Sequence, residues 1–362
     1  MAKVNTKSTA PKPKTRTAKV AEKKQPAGDS NPTSSRSSTP VDLQQKCLNV
    51  FRDTFKPDET NQNILQEVKG HLFNRDFAVA FGKEEYLRVY ASRWSPSRAL
   101  GYLQVLTDVQ ENLFEDEGSK GDGLKKSFRT VCLGGGAGAE IVALAGWMHQ
   151  ILRQGEESQI QAIDTTLVDI AAWDQIITGL QNAVTTAPEL SKYASAAAKE
   201  ANAALVPGDA FRASFKQIDA LALSQDDQLR LLGGMDLVTL MFTLNELYST
   251  SMAKTQQMLA CITNTVKPGA CLLVVDSPGS YSTVSINGAE KKYPMHWLLD
   301  YSLIGTEQSR SKAGAAPAKW EKLVSDESRW FRLPQGLNYP IDLENMRYQI
   351  HLYKRLAESE PG

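Results

Sequence analysis

At 362 residues, 41% of them hydrophobic, the chain is long enough for one large or two modest domains with a sizeable core. Formal charge is zero, but residues 1–40 carry nine Lys/Arg against Glu22 and Asp29, so this stretch is +7 and the remainder −7. An acidic body excludes nucleic-acid binding through a global positive field and leaves only local basic patches for that purpose.

The four cysteines, Cys47, Cys132, Cys261 and Cys271, form no C-x-x-C pair and have no neighbouring His cluster. That pattern argues against a zinc site or a disulfide framework and for a reducing compartment. No apolar stretch is long enough to cross a bilayer, and no signal-peptide core follows Met1. Neither a membrane partner nor a metal is expected.

Residues 1–41 are rich in Lys, Thr, Ser, Ala and Pro and nearly free of large apolar side chains, so a disordered basic tail is expected. Its segment PKPKTRTAKVAEKK (11–24) suits nuclear import or contact with RNA, or is a solvated tail with no partner. The nucleus or nucleolus is the expected compartment, with the cytoplasm open. Residues 42–125 form an N-terminal helical region. Leu43, Leu48, Phe51 and Phe55 share one helical face. Pro96 is expected to interrupt the helical pattern that SRALGYLQVLTDVQENLF resumes. Arg88, Arg93 and Arg98 are either exposed arginines or a basic wall beside a cleft, and GSKGDG (118–123) is a loop.

From residue 126 the rhythm changes to short apolar runs alternating with helices. RTVCLGG, TTLVDIA, ASFKQID, DLVTLMFTL and ACLLVVDSPG read as strands. AEIVALAGWMHQIL, AAWDQIITGLQNAV and SMAKTQQMLACITNTV read as the helices between them. The alternation predicts an α/β fold with a doubly wound, mostly parallel sheet over 126–362. RWFRLP and NMRYQIHLYKRL have no helix-length segment between them, so the last two strands pair antiparallel. The Ala-rich insertion 186–208 is expected to be a helix outside the sheet.

VCLGGGAGAE (131–140) carries the chemistry. A strand that ends in Gly134, Gly135, Gly136 and Gly138 and opens a helix makes a tight turn where backbone can approach a ligand and negative charge is favoured. Two ligand classes fit. Gly134, Gly136 and Ala139 match the dinucleotide pattern G-x-G-x-x-G/A, and Gly134, Gly136 and Gly138 match the G-x-G-x-G of S-adenosylmethionine (SAM) sites. The dinucleotide pattern wants an acid about twenty residues on. Here the next strand-ending acid, Asp169, lies 31 positions after Gly138. With an antiparallel close to the sheet, the outline is that of a class I SAM-dependent methyltransferase, a Rossmann-like seven-stranded sheet.

Five further segments carry a more specific resemblance: DLVTLMFTLNELYS, LLVVDSPGSYS, KKYPMHWLLDYSLI, SRWFRLPQGLNYPIDLENMRYQIHLYKRL and, upstream, YASRWSPSRALGY. With the glycine segment, they resemble a fungal family of SAM-dependent methyltransferases whose characterised member methylates N3 of a uridine in large-subunit ribosomal RNA. The resemblance spans roughly 42–356. It implies SAM as cofactor and large-subunit rRNA or a pre-ribosome as partner. The residues alone leave open a protein or small-molecule methyltransferase and an inactive ribosome-assembly factor.

On that resemblance, Gly134, Gly135, Gly136 and Gly138 pass beneath SAM. Asp169 accepts from the ribose hydroxyls, and Asp219 lies near the adenine amino group, in preference to Asp209. Cys132 stands where many SAM enzymes carry an acid. Glu140 either reaches the methionine amino group or simply complements the helix dipole. Asn245 and Glu246 line the methyl-transfer point. Glu246 is the first choice for the base that takes the N3 proton, ahead of Asp276 and His296. Because N3 lies on the pairing edge, the uridine must be unpaired or flipped out. Tyr281, Tyr293 and Trp297 are candidates to stack on it. Lys291, Lys292, Arg310 and Lys312, with Arg88, Arg93 and Arg98, are candidates for phosphates.

Overall fold

The computed structural model describes residues 39–57, 62–114, 126–155, 160–279, 281–286, 289–305 and 318–357. Residues 1–38 of the basic tail, the GSKGDG loop, Arg310 and Lys312 lie outside them, as do the side chains of Tyr281 and Lys291.

Four helices come first: α1 (Val41–Phe55), α2 (Gln62–Phe73), α3 (Phe77–Ala80) and α4 (Glu84–Leu113). Strand and helix then alternate through β1 (Lys126–Leu133), α5 (Ala139–Arg153), β2 (Ile160–Asp169), α6 (Asp174–Thr185), α7 (Ala196–Glu200), β3 (Phe211–Gln217), α8 (Gln225–Leu232), β4 (Leu237–Met241), α9 (Leu244–Thr250), α10 (Met252–Thr265) and β5 (Cys271–Asp276). A two-stranded hairpin, β6 (Tyr281–Ile286) and β7 (Ala289–Pro294), and helix α11 (Met295–Leu303) precede the closing pair β8 (Trp320–Phe331) and β9 (Met346–Arg355).

The seven-stranded sheet has the order β3-β2-β1-β4-β5-β9-β8. Strands β1 to β5 pair in parallel, and β9 lies antiparallel between β5 and β8. This is the class I methyltransferase order, with β6–β7 and α11 inserted before the last pair. Side-chain alternation divides the sheet between two helical layers. In β5, Cys271, Leu273 and Val275 face the core shared with α1, α4, α5 and α6, while Leu272 and Val274 face the core with α8, α9, α10 and α11. The N-terminal helices therefore share one core with a face of the sheet.

Three expectations need correction. The Ala-rich insertion forms only the five-residue α7, none of it buried, and is otherwise turns. Its alanines favour helix but supply no apolar face to dock it. The strand expected at RWFRLP begins nine residues earlier, at Trp320, because its polar outer face obscured the alternation. Pro96 does not interrupt the helix, since α4 runs unbroken for 30 residues.

Proline has no N–H to give the carbonyl four residues back, here that of Ser92. The Tyr339 hydroxyl, from the β8–β9 loop, donates to that carbonyl at 3.1 Å. The same loop is fixed along α4 by the Glu344 amide donating to Ser97 Oγ at 3.0 Å and by Arg93 donating to the Asp342 carbonyl at 3.1 Å. Tyr339→Phe should therefore cost about 1 kcal/mol in chemical denaturation. In a Pro96→Ala background, which restores the N–H, the same change should cost clearly less; equal costs would mean that the two groups are uncoupled.

Candidate active site

Parallel strands bring their carboxyl ends to one edge, and a ligand crevice opens where successive connections leave in opposite directions. Strand β1 connects outward to β2 on one side and borders β4 on the other. The glycine turn after β1 occupies that switch point. The same edge holds Asp169 at the end of β2, Asp219 two residues past β3, Phe242–Glu246 after β4 and Asp276 at the end of β5. Asp209 precedes β3, and so lies at the opposite edge.

The glycines are bare for reasons the sequence did not show. Gly134 and Gly138 have φ of 82° and 76°, a region that L side chains rarely adopt. A Cβ on Gly134 would strike the Thr243 side chain, one on Gly136 the Trp173 indole and one on Gly138 the Leu180 side chain. Gly135 backs onto Cys132 and Leu167. The open space is filled by neighbouring protein, which packs the turn down and leaves its backbone to face the crevice.

Asp169 belongs to this turn. Its carboxylate accepts from the Gly136 amide at 3.2 Å and from the Ala171 amide at 3.1 Å. Burial raises its pKa, against the pull of these amides and the Trp173 indole. Each oxygen keeps acceptor capacity for a hydroxyl. Asp219 is half-buried and accepts from the Leu221 amide at 2.8 Å. Cys132 is fully buried among Thr130, Thr165 and Thr239, and burial pushes its thiol up to about 12. It is an inert core residue.

Helix α4 roofs the turn. Ser95 Oγ donates to the Ala137 carbonyl at 2.7 Å. Phe81, Tyr90 and Trp173 cluster with ring centroids 5.1–6.0 Å apart, and the Trp94 ring lies tilted 4.8 Å from that of Tyr90. Of the two alternatives for Arg88, Arg93 and Arg98, exposed arginines or a basic wall beside the cleft, neither describes all three, because each is engaged by the protein. Arg88 donates to the Thr54 and Phe55 carbonyls and caps α1. Arg93 pairs with Glu344. Arg98 turns inward, donates to Tyr90 Oη at 3.0 Å and lies 5.0 Å from the Phe242 ring centroid. No carboxylate lies within ion-pair distance of Arg98 among the described residues.

Phe242 has φ of 58° directly after β4, a costly conformation for a bulky side chain. Its amide donates to the Val275 carbonyl at 2.7 Å, and Tyr102 and Arg98 hold its ring. The kink aims the start of α9 into the crevice. Asp276 fixes that start, accepting from the Asn245 amide at 3.0 Å and from its neighbour Ser277 at 2.7 Å. Burial lifts Asp276 to about 6. Each of its oxygens accepts from one amide, and these two bonds position the start of α9. Glu246, in the first turn of α9, is partly exposed and pairs with Arg75 at 3.3 Å. His296 is packed against Glu327 and His351, as its neighbour Trp297 is exposed on α11. Tyr293 is half-buried on β7, and Lys292 is exposed.

Arg75, Trp173, Phe242 and Thr243 were missed from the sequence. Their parts arise from contacts across long chain separations or from a backbone twist that Phe does not advertise. A glycine-rich turn at a switch point, with an acid ending the second strand, is shared by several nucleoside cofactors.

Residues 49–354 match a family model described as "Putative SAM-dependent methyltransferase". The chain belongs to this family. The methyltransferase is 30% identical over 332 residues to the 25S rRNA (uridine(2843)-N(3))-methyltransferase of Saccharomyces cerevisiae, covering 85% of each chain. Solved structures resemble it more distantly. A SAM-dependent methyltransferase from Methanosarcina mazei overlaps 65% of this chain and 95% of its own, at 14% identity and a TM-score of 0.35. One from Clostridium acetobutylicum overlaps 78% and 99%, at 10% identity and a TM-score of 0.35.

The cofactor of the family is SAM, and the residues present suit it. The turn offers backbone at close range, Asp169 offers free acceptor capacity, and Arg98 offers a cation without a carboxylate partner. Glu140 is buried close behind the turn. Burial pushes its carboxyl up to about 7, with Arg98 pulling the other way. A carboxyl whose folded pKa exceeds its unfolded value loses stability as pH rises between the two. Glu140→Gln should therefore be about neutral at pH 4 and stabilising by on the order of 3 kcal/mol at pH 8, the gain developing between about 4.5 and about 7. Thermal melts across that range test it; a pH-independent effect would show that Glu140 does not titrate there.

Proposed function

We propose that this methyltransferase methylates N3 of a uridine in large-subunit ribosomal RNA, as the yeast relative's name describes for that protein. The observation that carries the reading is the 30% identity to that relative, which extends over 85% of both chains. Geometry supports it by bringing the glycine turn, Asp169 and Asp219 to the same sheet edge as Asn245 and Glu246, with Arg98 turned toward Phe242 beside them.

In this reading Gly134, Gly135, Gly136 and Gly138, with Asp169 and Asp219, hold SAM, which supplies an electrophilic methyl group. Uridine N3 carries a proton that must leave as the N–C bond forms. Glu246 takes it. Its Oε1 faces Arg75, and its Oε2 has no partner among the described residues. Asn245, anchored through its amide by Asp276, sets the approach of Glu246. Arg98, held in the crevice by Tyr90 and Phe242, favours negative charge developing on the base. Fixing these groups on α4 and α9 supplies the orientation that an in-line transfer requires. The basic segment 11–24 supports nuclear import in this setting, and a fluorescent fusion lacking residues 1–38 that stays nuclear would remove that role.

Incubation with tritiated SAM and unmodified large-subunit rRNA, followed by digestion to nucleosides, should place label in 3-methyluridine. Asp169→Ala should abolish SAM binding. Glu246→Gln should keep SAM affinity and lose about 100-fold or more in turnover. Full turnover in Glu246→Gln would withdraw it as the base. Absence of label in any RNA, with SAM bound, would redirect the search to protein substrates.

A further inference from the structure

At the end of β8, Trp330 pairs across the ladder with Arg347 of β9 and remains half exposed. The Arg332 guanidinium lies 4.8 Å from the indole centroid and that of Arg347 5.7 Å. Both arginines are exposed, and neither has a carboxylate within ion-pair distance among the described residues. Arg347 is steadied instead by Ser328 Oγ, at 2.9 and 3.0 Å. The contrast with neighbouring arginines is informative. Arg329 is paired with Asp326 and Arg93 with Glu344, whereas Arg332 and Arg347, like the inward-turned Arg98, have no carboxylate partner among the described residues.

Position links this pair to the catalytic crevice. Strand β8 runs parallel to β5, since both lie antiparallel to β9. Its last residues therefore reach the same edge as Asp276 and the glycine turn. A cleft of about 170 Å³ is lined by Arg347, Asn345 and Glu344 and by Arg98, Trp94 and Phe242, so it borders this pair through Arg347 and the end of β4 through Phe242. A flat indole with two guanidinium groups held against it, on a rigid strand pair, is a surface suited to phosphates and base planes together.

We propose that Trp330, Arg332 and Arg347 grip the single-stranded RNA backbone beside the target nucleotide, with the cleft leading from that grip to the end of β4. The proposal rests on the RNA reading above and adds the contact surface. Unpaired RNA is the occupant that matches the chemistry, because a methylated pairing edge requires an unpaired base and the patch carries positive charge in an acidic body. A duplex would present no free base planes to the indole.

The experiment uses the full-length protein and a fluorescent RNA containing an unpaired target uridine, with binding followed by anisotropy at several salt concentrations. The Arg332→Ala/Arg347→Ala double variant should bind roughly tenfold or more weakly, and its salt slope should fall by about 1.4, roughly 0.7 for each phosphate contact on a single strand. Trp330→Ala should weaken binding about tenfold with a nearly unchanged slope. Arg332→Lys/Arg347→Lys should recover the slope but not the full affinity. SAM affinity, measured on each variant, reports that the fold is intact. Unchanged RNA affinity and slope in the double alanine variant, with wild type still methylating RNA, would overturn the grip alone. A wild-type protein that neither binds nor methylates RNA would overturn the grip together with the reading beneath it.

Discussion

The Ser95 hydroxyl holds the Ala137 carbonyl at 2.7 Å, and through it a 30-residue helix is tied to a four-glycine turn. Much of the site depends on that attachment. With α4 in place, Tyr90 reaches Trp173, Trp173 covers Gly136, and Arg98 reaches Phe242. The glycine burst is thus first a packing device. Had Gly136 or Gly138 carried side chains, Trp173 and Leu180 could not settle, and the aromatic roof would lift from the crevice. Ligand approach follows from this packing, because a turn pressed down from behind presents its backbone in front.

Pro96 shows how the same helix is held from its far side. A proline within a helix ordinarily costs about 3 kcal/mol or more, part of it an unanswered carbonyl. Here Tyr339 answers that carbonyl, and the loop that carries Tyr339 also meets Ser97 and Arg93. The feature that looks like a break in the sequence becomes a socket for the β8–β9 loop. The last two strands, α4 and the glycine turn consequently form one connected frame around the cleft.

The sequence revealed the parts of this protein that depend on local pattern. Alternating strands and helices, the glycine turn and the strand-ending Asp169 all follow from spacing and residue type. The antiparallel close followed from the lack of a helix between the last two strands, but the strand order across the sheet was not legible, and the inserted β6–β7 hairpin had no clear signature. Arginines were the least legible. Arg88, Arg93 and Arg98 lie along one stretch of helix, yet one caps α1, one pairs with Glu344 and one turns into the crevice. Charge type says that a partner is needed, but the partner lies 33 to 251 residues away in two of these cases. Phe242 was equally silent, since nothing in MFTLNE signals that a phenylalanine adopts φ of 58°.

Electrostatics then decides where an acidic body can meet an acidic polymer. The charge of −7 beyond residue 40 is opposed to RNA only where it is not screened. At physiological ionic strength the Debye length is about 8 Å, so carboxylates farther than that from a phosphate contribute little. Arginines in direct contact act inside that distance and release counterions as they bind. Short-range placement therefore outweighs net charge. Most guanidinium groups near the crevice are spent on the frame: on carbonyls, on Glu344 or on Asp326. Those at Arg332 and Arg347 are held against an indole instead, where cation–π attraction orders them without neutralising them. Their charge stays available at the edge where β4 and β5 deliver Asn245, Glu246 and Asp276, and on that coincidence rests the proposed route for a nucleotide along the cleft from Arg347 to Phe242.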